Sequence, residues 1–203
     1  MTRVTTQASM SLDGFIAGPN ESGFEHIFEW YGNGDVTLST ANPEMPAFQV
    51  SEASADYLGV WDDLGAMVVG RRLFDITNGW DGSHPIGRDV PIFVVTHSAP
   101  TEWAPKYDNT SFTFVTDGLE SAIAQAKAVA GNKSVVVGPG SIVGQALESG
   151  LIDEIKVDLV PVLIGGGVRF LESLATAPVT LDTPRVIEGD RVTHLIFKVQ
   201  PAS

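Results

Sequence analysis

The chain has 203 residues (21.6 kDa), no cysteine, and 25 acidic against 12 basic side chains, a formal net charge of −13. Zero cysteine excludes a disulfide scaffold, a thiolate metal site and a cysteine nucleophile, and a pI near 4.5 argues against a nucleic-acid partner, which needs a basic footprint. With 43% hydrophobic and 18% charged residues the sequence reads as one folded domain over 1–203; no apolar run is long enough to cross a bilayer or to form a signal-peptide core, so a cytoplasmic protein with no membrane partner is expected.

The chain opens with a strand over Arg3–Ser9. Residues 19–50 are irregular, rich in Gly, Asn, Pro and aromatics. Such a loop is usually functional or mobile, although Phe24, Phe28, Trp30 and Tyr31 suit packing equally well. A helix is predicted over 52–64, with Ala53, Tyr57, Trp61 and Leu64 on one stripe, Ser51 before it and Gly65 after it. Ala66–Val69, Ile92–Val95 and Ser134–Val137 are short continuous apolar runs, the pattern of strands buried on both faces of a parallel sheet. Phe112–Val115 is a further short strand. Residues 118–130 form a helix, with Leu119, Ala122, Ile123, Ala126 and Val129 on one face, capping-box spacing at Asp117 and Glu120, and Gly131 as a stop. A helix over 141–149 follows Gly140. Glu154–Val162 is a long apolar strand. The C-terminus reads as a hairpin: a strand ending near Ile187, a Gly189-Asp190 turn, then Arg191–Val199. Strand–helix alternation predicts an α/β sheet with an antiparallel hairpin at one edge.

Residues 1–60 contain a single basic residue, Arg3, and eight acidic ones. Arg71-Arg72 is the only adjacent basic pair, so an anionic ligand must rely on a few local cations or on backbone N–H groups. After Ser134–Val137 comes Gly138-Pro139-Gly140-Ser141 and then a helix, an order that presents N–H groups and a positive helix end to a phosphate. The plainer alternative is a turn that needs glycine for its conformation. The next glycine is Gly144, a spacing that departs from the Rossmann fingerprint, and Asp158 falls inside a strand rather than at its end. His26, His84, His97 and His194 are scattered without paired spacing, so no metal site is expected. Asp62-Asp63 and Asp153-Glu154 read as solvated acids at helix ends or turns.

Five segments now converge. Met10-Ser11-Leu12-Asp13-Gly14-Phe15-Ile16-Ala17-Gly18 follows the first strand. Val68-Val69-Gly70-Arg71-Arg72, Val94-Val95-Thr96-His97-Ser98 and Val136-Val137-Gly138-Pro139-Gly140 end three others, and Leu159–Gly167 (LVPVLIGGG) follows. In this order the chain resembles the dihydrofolate reductase-like superfamily, in particular the stand-alone RibD C-terminal-domain (riboflavin-biosynthesis reductase-like) proteins. The resemblance implies a central mixed, mostly parallel sheet of about eight strands, with helices on both faces and a C-terminal antiparallel hairpin. It also implies NADPH as cofactor, a small-molecule substrate and a homodimer formed through the late strands.

The family's site maps onto this sequence residue by residue. Gly70, Arg71 and Arg72 match the turn whose arginine contacts the 2′-phosphate and whose next residues reach the pyrophosphate; Leu73 stands where the family often has threonine. Thr96 and His97, with Ser98 beside them, match the positions that flank the 2′-phosphate. Gly138, Pro139, Gly140, Ser141, Ile142 and Val143 match the glycine turn and helix start under the pyrophosphate. Ser9 and Ile16 match the backbone positions that hold the nicotinamide carboxamide. Because Pro139 replaces the second glycine of a bond that is cis in the family, Gly138–Pro139 is expected to be cis. Folate reductases carry an acid in the first long helix. Counting back from Gly70 places Ser54 there, with Asp56 the nearest substitute proton donor and Glu52 the other. The implied activity is that of an NADPH-dependent oxidoreductase acting on a small heterocycle, pterin- or folate-like or ribosylamino-pyrimidine-like. The alternative is a nucleotide-binding protein of the same fold without turnover.

Overall fold

In the computed structural model, which describes residues 2–86, 89–171, 174–175 and 177–200, the apolar runs become the inner strands of one sheet. In chain order the elements are β1 (Val4–Ser11), β2 (Phe15–Ala17), α1 (Phe24–Ile27), β3 (Val36–Leu38), β4 (Phe48–Val50), α2 (Glu52–Leu58), β5 (Leu64–Gly70), α3 (Arg71–Ile76), β6 (Ile92–Val95), β7 (Phe112–Val115), α4 (Leu119–Ala130), β8 (Ser134–Val137), α5 (Ser141–Glu148), β9 (Glu154–Val160), β10 (Val168–Arg169), β11 (Arg185–Gly189) and β12 (Val192–Lys198). Eight strands pair in the order β11-β12-β9-β1-β8-β5-β6-β7. The run from β9 to β7 is parallel throughout, and β12 lies antiparallel to β9 and forms the expected hairpin with β11. The hairpin loop is Asp190-Arg191, one residue later than expected, because Gly189 still pairs with Val192.

Helices cover both faces. On one, Leu119, Ala122, Ile123 and Ala126 of α4 and Ile142, Val143, Ala146 and Leu147 of α5 pack on Val135, Val137, Ile155 and Val157. On the other, Tyr57 and Leu58 of α2 pack with Trp30, Val160 and Val192, while Phe74 of α3 packs with Val69, Ile92 and Val94. Coverage on both sides is why the inner strands are continuously apolar.

Several local expectations are corrected. The helix expected over 52–64 stops at Leu58, and Gly59–Asp63 continues as a 3-10 segment. α4 has no capping box: Gly118 caps it at φ 107, and the Asp117 carboxylate accepts a hydrogen bond from the Ser121 hydroxyl instead. Val129 is exposed, and Ala130 takes the last place on the buried face. β9 ends at Val160, because the N–H of Val162 turns back onto the Val160 carbonyl. Asp153 is exposed, as expected, but Glu154 is not solvated. Asp153 accepts the Val4 N–H at 2.7 Å, and Glu154 is buried with Arg3 3.5 Å away. Residues 19–50 hold α1 and the hairpin β3–β4, anchored by buried Ile27, Trp30 and Val50.

Two sequence motifs meet at Asp13. Its carboxylate accepts the Ser11 hydroxyl at 2.6 Å, the Ile164 N–H at 3.1 Å and the Gly165 N–H at 2.6 Å, tying the segment after β1 to the segment after β9. These donors hold its pKa at about 2. Near this clamp the sheet divides. β1 pairs with β8 only as far as Thr6–Val137, but with β9 as far as Ser11–Val160. The strands part there, at the carboxyl ends where α/β sheets place their ligands. Among the described residues no helix is long and apolar enough to cross a membrane.

Candidate functional site

A cleft of about 1740 Å³ opens along the α2/α3 face of the sheet. Pockets for single drug-sized ligands measure roughly 300–1,000 Å³, so this cleft has room for a long ligand and a second small one. Its floor includes Gln7, Ser9, Met67, Val136, Lys156 and Asp158, and its walls include Phe24, Tyr31, Phe48 and Trp61. The irregular segment 19–50 thus supplies a wall. Arg71, Arg72, Lys156 and Arg169 line it against Glu21, Asp117 and Asp158. On a chain of net charge −13 this is a local reversal of sign, which favours an anionic ligand.

One end is built for an anion. β5 runs into Gly70, and α3 starts immediately with Arg71 and Arg72. Arg71 is held by Asp75 at 2.7 Å, by the Ser98 carbonyl at 2.9 Å and by the Thr96 hydroxyl at 3.4 Å, so its guanidinium bridges the ends of β5 and β6. Its Nη2 has no partner among the described residues. Arg72 instead pairs with Glu21 at 2.8 Å and fastens the 19–50 segment to the start of α3. His97 and Ser98 are exposed at the rim. Gly70, Thr96, His97, Ser98, Gly138, Pro139, Gly140, Ser141 and Ile142 line the same cleft, as do Ser9 and Ile16.

The glycine turn differs from expectation in two ways. The Gly138–Pro139 bond is trans. The Gly138 N–H bonds the Val68 carbonyl at 2.8 Å, and the reversal is made at Gly140, whose φ of 123° lies in the region that favours glycine. Val143 is fully buried in the core and does not line the cleft, and its N–H is already bonded to the Gly140 carbonyl at 3.0 Å. It is withdrawn as a ligand contact; Gly144 and Gln145 line the cleft in its place. No side chain caps the start of α5.

The other end of the floor carries a buried polar chain. Strand register sets Ser9 beside Asp158 and Asp158 opposite His194. One Asp158 oxygen lies 2.8 Å from His194 Nδ1, and the other accepts Gln7 Nε2–H at 3.0 Å. His194 Nε2 lies 2.9 Å from the Ser54 hydroxyl, which in turn is 3.1 Å from the Ser51 hydroxyl at the α2 N-cap. The imidazole stacks on Tyr57 at 4.0 Å and meets Trp30 edge-on at 5.1 Å, and the indole N–H donates to Ser9 Oγ at 3.1 Å. Burial, and then the Asp158 charge, push the Tyr31 and Tyr57 hydroxyls well above the usual phenol range. Gly189 leaves room for this chain, since a Cβ there would fall against Ser54 Oγ.

Asp56, the expected proton donor, is exposed and lies outside the cleft, beside a separate small hollow with Arg185 and Ile187. Two residues rotate a helical side chain by roughly 200°, so Ser54 points inward and Asp56 outward. Glu52 is exposed as well. Sequence reading missed Asp158 and His194. The available signal was alternation within β9, where Glu154, Lys156 and Asp158 recur at every second position.

Over residues 2–191 the sequence matches the RibD C-terminal domain. The chain belongs to that family. A search of the curated proteins finds no match. Among solved structures, this RibD C-terminal domain is similar to a protein assigned to riboflavin biosynthesis from Shewanella sp. PV-4, at 20% identity over 98% of this chain and 99% of that one, with a TM-score of 0.67. It is similar to a deaminase/5-amino-6-(5-phosphoribosylamino)uracil reductase from Thermotoga maritima at 12% identity, covering 98% of this chain and 57% of that one, TM-score 0.62. It is also similar to the dihydrofolate reductase of Enterococcus faecalis complexed with NADP(H), at 12% identity over 98% and 96% of the two chains, TM-score 0.55. At these identities the likeness shows the fold: a dihydrofolate reductase-like sheet, with the RibD domain's cleft at its parted strands.

Proposed function

We propose that this RibD C-terminal domain is an NADPH-dependent reductase that transfers a hydride to a small heterocyclic substrate, pterin- or folate-like or a ribosylamino-pyrimidine. The observation that carries the proposal is the anion end of the cleft, where Arg71, pinned by Asp75, Thr96 and Ser98, shares one cavity with the Gly138–Ser141 turn. The residues fit the cofactor. A guanidinium with hydroxyl and imidazole neighbours suits a 2′-phosphate. A glycine turn ahead of a helix start with no side-chain cap suits a pyrophosphate. Leu73 offers no hydroxyl and Pro139 no N–H, so the pyrophosphate would rest on backbone donors of Gly140, Ser141 and Ile142. Ser9 and Ile16 present backbone to the carboxamide.

When bound, NADPH supplies the hydride. The chain's own part is positioning. The floor of β1 and β9 orients the substrate, and the aromatic walls Phe24, Tyr31, Phe48 and Trp61 keep water from it. A homodimer and a cytoplasmic location belong to the same proposal. The test is NADPH consumption by the full chain against dihydrofolate and the ribosylamino-pyrimidine phosphate. Turnover of either supports the reading. Tight NADPH binding with no turnover of either would reduce it to nucleotide binding.

A further inference from the structure

We infer that Lys156 is the proton donor of the cleft, completing each reduction by protonating the heteroatom bonded to the carbon that takes the hydride. This rests on the reading of the cleft as a reductase site.

Reducing a C=N or C=O bond takes two additions. The hydride pair forms a new bond to carbon, the π pair moves onto the heteroatom, and a proton then bonds to that heteroatom. Asp56, the acid expected in this role, lies outside the cleft. Few of the groups that do line the cleft can release a proton. The guanidiniums of Arg71, Arg72 and Arg169 keep theirs. Burial pushes the Tyr31 hydroxyl well above the usual phenol range and lowers His84 to about 3, and His84 Nδ1 already accepts the Ile86 N–H at 3.2 Å. Asp158 is an acceptor, engaged on its two oxygens by Gln7 and His194. Glu21 is tied to Arg72, and His97 and Asp117 follow β6 and β7, three and four strands from β1. Lys156 remains.

Its position suits the task. Lys156 shares a face of β9 with Asp158 and stands opposite Gln7 on β1 and Ile196 on β12. Ser9, at the nicotinamide end of the proposed pose, pairs with Asp158, so Lys156 lies two residues, roughly 7 Å, along the floor from that point. The flexible four-carbon stem of a lysine covers such a gap. Among the described residues its ammonium makes no hydrogen bond or ion pair, whereas Arg71 and Arg72 are both held by acids. Lys156 also lines a second hollow, of about 230 Å³, together with Tyr57 and Ile187, and the exposed Asp56 and Arg185 open that hollow to solvent. The amine therefore meets the ligand on one side and solvent on the other. The ammonium gives its proton to the substrate, becomes the neutral amine, and is recharged from the hollow while the aromatic walls stay closed over the cleft.

Burial lowers the Lys156 pKa from 10.5, which eases release of the proton. The charged and titratable groups around it are Glu154 and Asp158 on its own strand, Arg3 before β1, Asp63 after α2, and Asp56, Tyr57 and Arg185 at the hollow. Glu154, Asp158 and Asp63 oppose the lowering and Arg3 adds to it, and burial outweighs them. An ammonium donates equally to an imine nitrogen and to a ring or carbonyl oxygen, so the assignment holds for a pterin-like ring and for a ribosylamino-pyrimidine.

The test compares the full-length wild type with Lys156→Met and Lys156→Arg in turnover of dihydrofolate and of the ribosylamino-pyrimidine phosphate, with NADPH binding titrated separately. Both variants should lose about 10²-fold or more in kcat, the lower end of a general acid's contribution, with NADPH affinity unchanged within about twofold. Arginine keeps the charge but does not release a proton. Activity restored by Lys156→Arg would reduce Lys156 to a charge and overturn the inference, as would wild-type kcat in a folded Lys156→Met protein. Competitive acetylation of the wild type across pH, read by peptide mass spectrometry, needs neither cofactor nor substrate. It should show Lys156 titrating below 10.5, with kcat falling as pH rises through the same midpoint. Titration at or above 10.5 overturns the inference, and this arm decides if neither variant folds. If the wild type turns over neither substrate, the reductase reading fails and the inference falls with it; wild-type turnover that survives in both variants overturns the inference alone.

Discussion

Asp13 gathers a hydroxyl and two N–H donors onto one carboxylate, which lowers its pKa from 3.8 to about 2. An acid whose folded-state pKa lies below its unfolded value stabilises the fold above that unfolded value, and this contribution is lost as pH falls from 3.8 through about 2. Asp13→Asn should therefore lower the melting temperature at neutral pH and flatten the acid limb of stability against pH, both measurable by circular dichroism. His84 acts over a higher window: burial lowers its pKa from 6.5 to about 3, so the unfolded chain takes up the proton first and stability falls as pH drops below 6.5. His194→Ala strands the buried Asp158 carboxylate with Gln7 as its remaining side-chain partner. It should cost roughly 1–3 kcal/mol in denaturant unfolding, the penalty for leaving a buried polar group without its hydrogen-bond partner. Arg71 and the glycine turn were legible in the sequence, because an adjacent basic pair and a G-P-G leave local marks. The Asp158–His194 pair was not, because 36 residues separate its members and only the register of two antiparallel strands brings them together.

At the scale of elements, glycine conformation separates site from scaffold. Gly140 stands at φ 123 with open space around it, so Gly140→Ala meets backbone strain alone, about 1–3 kcal/mol. It should also weaken NADPH binding, because the start of α5 turns on that residue. Gly59 is right-handed helical at φ −57, also with nothing within 4 Å. Gly59→Ala should instead stabilise by about 0.4–1 kcal/mol, through the unfolded state, and leave binding unchanged. Thermal melts with parallel NADPH titrations distinguish the two. The inner strands were legible because burial on both faces leaves a continuous apolar run. The end of α2 was not, since Trp61 keeps the helical spacing after the helix has tightened at Gly59. β3 and β4 are three residues each, too short for periodicity to register within an irregular segment.

At the scale of the molecule, an acidic chain carries a cleft lined by Arg71, Arg72, Lys156 and Arg169, the reversal of sign on which the proposed anion binding rests. β11 is one of the two edges of the sheet, β7 being the other, with Val186 half exposed and Leu163 of the segment after β9 70% exposed. An unprotected edge of that kind favours pairing with a second copy, and light scattering should give about twice 21.6 kDa. A mass equal to one chain would refute the dimer and leave the cleft untouched. On the proposed reading, Arg71 and the rim of β6 contact a 2′-phosphate while the glycine turn holds a pyrophosphate. Parallel calorimetric titrations of the full chain with NADPH and with NADH test it most directly. NADPH should bind at least about tenfold more tightly, with Arg71→Ala losing about 1.5–3 kcal/mol for NADPH and little for NADH. Equal affinities for the two nucleotides, or no binding of either, would contradict it.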